Sequence, residues 1–458
     1  MAVSALKKKT IAKVITAVGA VMLVVGGYAG PMCSYGTLVE KSRSMVENFI
    51  NQTMVRAGAQ KFSVDFYEDD FGLFSHDLTF IATDGDVKVK VPLKVSINFG
   101  GYGFEADLVN ATINDGNAIK SFELNTLTAV SLKGSYSLFT ENGSAQLDAS
   151  YLNDDVSLYT LAEYQKYLRQ QMAGGDPKSS PNPEFADLAP NLDQAVTQIK
   201  ERIGYKPVGT MSINLGFDLA ENFTVDFTVD HLLAHYAAVT ELNYYSETQG
   251  FFELKNIGRN DLTVKRFSLL GFAPTVVEDL TLKTQSSHPS KQGYFDLPYE
   301  LKIGAARQLK NLSFSGELTN VNMQMFQAPE AVLLDLTKLL PQPLTLTVDP
   351  GSHFDFVTMV KPDEYHGPEA QQVAFKVDGS ATFSALNDGA YGQYIDVVSH
   401  ANVSVNTNVQ LITDRAMLPF APLFAQFKVK DGVSTAVIDV HSGKPSEPTS
   451  ISVNNNKL

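Results

Sequence analysis

Two histidines four residues apart form the most suggestive metal-ligand pair in this chain. His231 and His235 stand within DHLLAHYA, directly after Asp230. On a helix, this spacing would place both imidazoles on one face, as zinc sites require. The segment continues a strand pattern, however, and no acidic residue follows His231 as it does in the metalloprotease motif. We therefore predict no metal ligand here and no other cofactor.

Two acidic groups, Glu68-Asp69-Asp70 and Asp84-Gly85-Asp86, could be taken for calcium ligands. A calcium-binding loop needs a fuller set of alternating oxygen donors. Turn formation explains both groups, because Asp-Gly supplies the backbone angles of a tight hairpin turn. The sequence predicts turns at these positions, not calcium sites.

The chain contains no Gly-x-Ser-x-Gly elbow of a serine hydrolase, no Gly-x-x-x-x-Gly-Lys-Ser/Thr phosphate loop and no Gly-x-Gly-x-x-Gly motif of a dinucleotide-binding strand. Each of these motifs would leave a recognisable spacing. A catalytic triad can also be assembled from residues far apart in sequence, so a hydrolase without a motif stays as a third alternative. We predict that the chain is not an enzyme and name no catalytic or cofactor-binding residue.

The first structural element of the chain is an apolar segment in residues 1–30. No residue from Val14 to Gly30 is charged, and Lys7, Lys8, Lys9 and Lys13 precede the stretch. Such a stretch is just long enough to span a hydrocarbon core of about 30 Å, and basic residues favour the cytoplasmic side. Cleavage as a signal peptide after Ala29 is the alternative. An amphipathic helix predicted in residues 31–60 follows directly and favours an uncleaved anchor.

Composition limits the partners. The chain has 36 basic and 50 acidic residues, a net charge of -14, which argues against nucleic acid and anionic lipid surfaces. The only cysteine is Cys33, so no intramolecular disulfide forms, although two copies side by side would be able to cross-link there. A homo-oligomer therefore remains among the alternatives.

The body of the chain has the two-residue periodicity of strands that bury one face. In residues 87–99, valines, leucine and isoleucine alternate with lysine, serine and asparagine, and Pro92 indicates an edge position or a bulge. Asn142-Gly143 is predicted to be a hairpin turn. Helical periodicity appears at about 155–173, 184–204 and 329–340, and a broken helix at 416–427.

These patterns predict a mainly β (α+β) fold. An N-terminal transmembrane helix leads into long antiparallel sheets with one apolar face, and a few amphipathic helices cover them. The predicted regions are 61–207, a first β-rich region with two helices, and 208–441, a second with one short helix. Residues 442–458 are predicted to form a disordered tail.

Several stretches together resemble the YdgA-like family of bacterial proteins. They are the helix from Tyr35-Gly36-Thr37 to Met54, YEDDFGLFSHDL from Tyr67 to Leu78, and AVLLDLTKLLPQPLTLTVDP from Ala331 to Pro350 with the later FKVDGSATF. The chain departs from the family at Asp70-Phe71 and at Gly100-Gly101-Tyr102-Gly103. The resemblance implies an inner-membrane anchor and a periplasmic β-rich body. For this single-pass anchor, the four lysines themselves predict a cytoplasmic N-terminus. It implies no activity.

Two functions are consistent with these expectations. The first is a non-catalytic binding or scaffold module of the cell envelope, whose sheets meet partner proteins. The second is a periplasmic lipid-binding or lipid-handling protein that uses the apolar face of a sheet as a groove. What covers the apolar faces decides between them.

Overall fold

Strands dominate the computed structural model of this chain. It describes residues 62–71, 75–84, 87–98, 100–108, 110–114, 119–121, 127–137, 139–140, 142–153, 158–160, 162–163, 166, 191–218, 222–234, 237–249, 258–269, 275–287, 290, 292–323, 335–360, 369–389, 392–406 and 421–458. The predicted anchor in residues 1–30 and the helix in residues 31–60 lie outside the described residues. Within the part of the chain that is described, no helix combines the length and apolarity needed to cross a membrane. The mainly β fold is confirmed.

The chain forms two compact units. The first holds Met1–Leu168, Ala189–His235 and Thr240–Leu254, and the second holds the remaining residues. Residues 208–235 therefore belong with the first unit, whereas the sequence groups them with the second region. The reason is strand pairing: Val208–Asp218 is hydrogen-bonded along its length to Asn142–Leu152.

The first unit contains an antiparallel sheet in which neighbours in sequence are mostly neighbours in space. The strand order is β1-β2-β3-β4-β7-β8-β9-β10. Strand β5 pairs with β3 on the same edge as β4, and β6 pairs with β5. The strands are β1 (Phe62–Phe71), β2 (Ser75–Asp84), β3 (Val87–Asn98), β4 (Gly101–Ala106), β5 (Thr112–Asn114), β6 (Ile119–Ser121), β7 (Leu127–Ser137), β8 (Asn142–Leu152), β9 (Val208–Asp218) and β10 (Asn222–Ala234). A further strand, β11, spans Ala237–Gln249 and was not predicted.

Strand β3 confirms its predicted alternation. Val89, Val91 and Leu93 are buried, whereas Lys88 and Lys90 are exposed. The edge position suggested by Pro92 is wrong, because β3 is paired on both sides. Proline is tolerated there because the neighbouring strand is interrupted between β4 and β5, where the amide of Asp107 donates to the Pro92 carbonyl.

The predicted hairpin turn at Asn142-Gly143 is also wrong. Both residues lie in β8, paired with Ser137 and Tyr136 of β7, so the connection is residues 138–141. Gly143 is needed for packing instead, because a Cβ atom there would lie 2.0 Å from the ring of Phe217 on β9. A glycine beneath an aromatic ring on the next strand lets the ring fold flat onto the sheet.

Helical residues of the first unit have one buried side. Helix α1 (Leu192–Ile203) is capped by Asn191, whose side chain accepts from the Asp193 amide, and ends at Gly204 in the left-handed conformation. It buries Ala195, Val196, Ile199 and Ile203. Residues 158–160, 162–163 and 166 are also helical, within the predicted 155–173 helix. The described parts of both predicted helices are thus confirmed.

The second unit contains an antiparallel sheet that begins with β12, β13, β14 and β15 in this order. Strands β16 and β17 lie end to end, and each pairs with β15 on one side and with β18 on the other. Strand β19 pairs with β18 and with β21, both β20 and β22 pair with β21, and β23 pairs with β22. The strands are β12 (Arg259–Leu269), β13 (Thr275–Gln285), β14 (Tyr294–Ala306), β15 (Leu309–Asn322), β16 (Leu344–Val348), β17 (His353–Val360), β18 (Glu369–Asp388), β19 (Gly392–Val405), β20 (Lys428–Lys430), β21 (Val433–His441), β22 (Ser450–Val453) and β23 (Asn456–Lys457).

Two short helices belong to the second unit. Helix α2 (Leu336–Leu339) falls within the predicted helix and ends before Pro341, as expected from the missing proline donor. Its N-cap Asp335 accepts from Thr337 and from Gln393 of β19, which ties the helix to that strand. Helix α3 (Ala421–Phe424) lies within the predicted broken helix.

The predicted disorder of residues 442–458 is wrong. Strand β22 pairs with β21, and Val453 is fully buried at 0% exposure. Asn454 extends the contact, because its side chain accepts from the Val437 amide and donates to the Gln426 carbonyl. Burial of a short apolar alternation therefore orders a tail whose overall composition is polar.

Candidate functional site

Of the two histidines considered for metal binding, His231 lies in a strand and not in a helix. His231 lies in β10 with a positive φ of 54°, and His235 lies outside the described residues. Across the residues that the structure describes, no three His, Cys, Asp or Glu side chains converge as a metal site would need.

The surroundings of His231 instead brace a bend in β10. The Asn153 side chain donates to the His231 carbonyl at 2.5 Å and accepts from the Leu233 amide at 3.0 Å. The Tyr151 hydroxyl donates to the Asp230 carbonyl at 2.9 Å. Burial, followed by the charge of Asp230, raises the pKa of Tyr151 to about 12. His231 Nδ1 lies 2.5 Å from Asp230 Oδ1, without the alignment of a hydrogen bond.

The two acidic groups fall at irregularities of the first sheet. The register of β1 against β2 shifts between Glu68 and Asp70, which marks a bulge. Asp84 pairs with Val87 and so closes the predicted β2–β3 hairpin. Residues 85–86 lie outside the described residues.

Two His-Asp pairs that the sequence did not single out lie on one face of the second sheet. His400 Nδ1 is 2.7 Å from Asp439 Oδ1, and His441 Nε2 is 3.2 Å from Asp396 Oδ1. Strand register alone brings them together, since His400 is directly opposite Asp439. No signal in a single sequence could have paired residues so far apart.

Serine hydroxyls complete both groups, but not as a triad would. Ser452 donates to Asp439 at 3.4 Å, and Ser442 donates to Asp396 at 3.2 Å. A triad needs the serine hydroxyl on the histidine, with the carboxylate on the opposite side of the ring. Here each serine binds the carboxylate, so the histidine is not placed to remove its proton.

A shallow hollow of about 310 Å³ lies on the polar face of the first sheet. Its floor follows one row of paired residues, namely Ser131, Asp148, Ser212 and Thr228. Both Asp148 oxygens are already bonded, at 2.7 Å by the Ser212 hydroxyl and at 2.8 Å by the Gln146 amide. Small side chains explain the hollow. The Asp148 carboxylate in its floor already accepts hydrogen bonds from other side chains of the protein.

One side of the sheet of the second unit is broadly apolar, and we call this side the apolar face. Alternate residues of its strands point to this side, and strand register aligns them into rows that cross the sheet. One row passes through Leu262, Leu282, Leu301 and Phe314. It continues through Phe354, 6.2 Å from the Phe314 ring, and Phe375, stacked on Phe354 at 4.8 Å. Another row passes through Leu297, Leu318, Leu346 and Ala381.

Burial of this face is uneven. Phe375 and Val405 are 5% and 1% exposed, and Phe424 and Phe427 from the α3 region pack against their cluster. A second buried cluster is formed by Phe295, Val321 and Met323. Between the clusters, the leucines and Phe314 of both rows are only half-buried. The apolar face thus retains apolar area that the described residues do not fully cover.

No protein-family model, no curated protein sequence and no solved structure matches this chain.

Proposed function

We propose that this chain is a non-catalytic binding module of the cell envelope, with the apolar face of the second unit as its binding surface. The observation that carries the proposal is the half-burial of Leu262, Leu282, Leu301 and Phe314 along one continuous row. Each leucine removed from water contributes about 1.5–3 kcal/mol, so a covered row is worth considerably more than an uncovered one. A face of this kind favours a ligand or a partner.

The location of the protein in the cell is part of the same proposal. The uncharged stretch from Val14 to Gly30, with lysines before it, favours a single-pass inner-membrane anchor with a cytoplasmic N-terminus and a periplasmic body. Membership of the YdgA-like family would agree with this topology. A surface that buries apolar groups is of use beside a membrane, where both lipids and membrane proteins are at hand.

A hydrolase gains no support from the two His-Asp-Ser groups. In each group the serine hydroxyl is bonded to the carboxylate, and both histidines are more than half exposed, at 55% and 57%. Envelope proteins and lipids remain the two classes of ligand, and a lipid is the second candidate function. The half-buried rows favour it because they offer apolar surface and few hydrogen-bonding groups.

Photocross-linking from a single position tests whether the apolar face binds anything. Benzoylphenylalanine replaces Leu301 in the full chain in cells, and the matched control replaces Lys302, its neighbour on the opposite face, whose side chain is 58% exposed. We expect adducts, of lipid or protein, from position 301 and few from position 302. Equal yields from the two positions, or none from 301, would refute the proposal.

A further inference from the structure

One end of the apolar face is covered by a segment of the chain itself. Residues 421–427 include helix α3, and we call them the α3 cover; the rings of Phe424 and Phe427 lie 5.3 Å apart in it. Both side chains pack against the buried cluster of β17, β18 and β19, which consists of Phe356, Val373, Phe375 and Val405. Phe354, the half-buried ring of the aromatic row, packs against the same cluster. The α3 cover therefore lies where the half-buried row meets this cluster.

The α3 cover is one layer thick. The residues of the cluster beneath it are buried, whereas Phe424 and Phe427 are themselves only half-buried. Pro422 and Ala425 of the same segment are exposed. Solvent therefore reaches the outer side of the segment, and its displacement would open the cluster to whatever lies on the apolar face.

Few backbone contacts hold the α3 cover in place. No strand of the described chain pairs with residues 421–427, and the amides of Gln426 and Phe427 donate to carbonyls within the segment. The β22–β23 hairpin fixes it from outside, because the Asn454 side chain donates to the Gln426 carbonyl at 2.8 Å and the Asn456 side chain donates to Gln426 Oε1 at 3.4 Å. Segments with little backbone pairing open at a lower cost in free energy than paired strands. The α3 cover can therefore leave the sheet without separating any two strands.

We propose that the α3 cover opens and closes over the aromatic end of the apolar face and competes there with the ligand of that face. When it is closed, its two phenylalanines occupy the surface along which the row through Leu301, Phe314 and Phe354 continues. A ligand that follows the row reaches the cluster only after the cover has left. The apparent affinity of the face is then reduced by the fraction of molecules that are open. This inference rests on the proposed function, because it describes access to the same surface.

Thiol labelling of the full chain measures the opening. Val405→Cys places a thiol beneath the α3 cover, and Val321→Cys places one in the second buried cluster of the same unit. Both variants also carry Cys33→Ser, which removes the native thiol. We expect N-ethylmaleimide to label position 405 at least about tenfold faster than position 321, because the cover opens without unfolding of the sheet.

A substitution within the cover shows whether the cover controls this rate. Phe424→Ala removes one of its two apolar anchors and should raise the labelling rate at position 405 about tenfold, with no change at position 321. Ala425→Ser, at an exposed position of the same segment, is the matched control and should change neither rate. Equal rates at 405 and 321, or no response at 405 to Phe424→Ala, would overturn the inference. Val373→Cys gives a second thiol beneath the cover if Val405→Cys does not fold.

Competition with the ligand has its own measurement. With benzoylphenylalanine at position 301 in cells, Phe424→Ala should raise the adduct yield by up to about tenfold, because more molecules are open. An unchanged yield would overturn the competition. Slow labelling at position 405 with adducts from position 301 would overturn the opening cover and leave the proposed function. Absence of adducts from position 301 in both backgrounds would refute the proposed function and the competition that rests on it.

Discussion

Gly316 should be among the least replaceable residues of the second unit. A Cβ atom at this position would lie 1.9 Å from the Thr347 carbonyl oxygen and 2.8 Å from its carbon. Both are backbone atoms of the neighbouring strand, so no rotamer change relieves the clash. Gly316→Ala must therefore separate β15 from β16, and it also crowds the Tyr299 hydroxyl, 3.0 Å from the same Cβ.

The expected cost follows from three contributions. Overpacking costs about 1–3 kcal/mol, and loss of the Tyr299 hydrogen bond costs about 1 kcal/mol. The reduced entropy of the unfolded alanine variant returns about 0.4–1 kcal/mol. We therefore expect Gly316→Ala to lower the free energy of unfolding of the second unit by about 2 kcal/mol.

Urea unfolding of the detergent-solubilised chain, followed by circular dichroism, measures this change. With a slope of about 2 kcal/mol/M, the midpoint of one transition should fall by about 1 M. Gly389→Ala is the matched control, because nothing lies within 4 Å of its Cβ position. If Gly316→Ala is no more destabilising than Gly389→Ala, the register of β15 against β16 is not as described.

Four further predictions concern other parts of the chain. Because the pKa of Tyr151 is raised, its protonated hydroxyl stabilises the folded state fully below pH 10, and this stabilisation is lost as the pH rises towards about 12. Tyr151→Phe should flatten that part of the alkaline unfolding curve, and an unchanged curve would contradict the assignment. Hydrogen bonds from Thr337 and Gln393 lower the pKa of Asp335 to about 2. The ionised carboxylate therefore stabilises the folded state above pH 3.8, and this stabilisation is lost as the pH falls through about 2. Asp335→Asn should remove this acid dependence from an unfolding titration. Truncation before Ser450 removes the buried Val453 and should cost at least about 2 kcal/mol in urea unfolding, whereas a disordered tail would cost nothing. With the proposed topology, Cys33 should react in intact spheroplasts with a maleimide that cannot cross membranes, and protection until lysis would contradict a periplasmic position.

Much of the fold could be predicted because strand alternation is local. The lysine-valine pattern of β3 identified the buried face, and the helical stripe at 192–203 identified the buried side of α1. The errors arose where a distant residue decides the outcome. Gly143 looks like a turn glycine, but Phe217, far along the chain, requires it within a strand. Polar composition concealed the ordered tail because Val453 gains its burial from β21.

The candidate site was predictable only in part. The sequence predicted sheets with one apolar face, but the rows depend on register, which a single sequence does not specify. The His-Asp pairs arise in the same way, through the register of β19 and β21.

The adduct yield from benzoylphenylalanine at position 301, relative to position 302, tests the central claim most directly. The two positions share a strand and a local sequence and differ in the face they present. A binding surface on the apolar face predicts that ligand is captured from 301 and hardly at all from 302. A ratio near one in the full chain in its own membrane would contradict the claim.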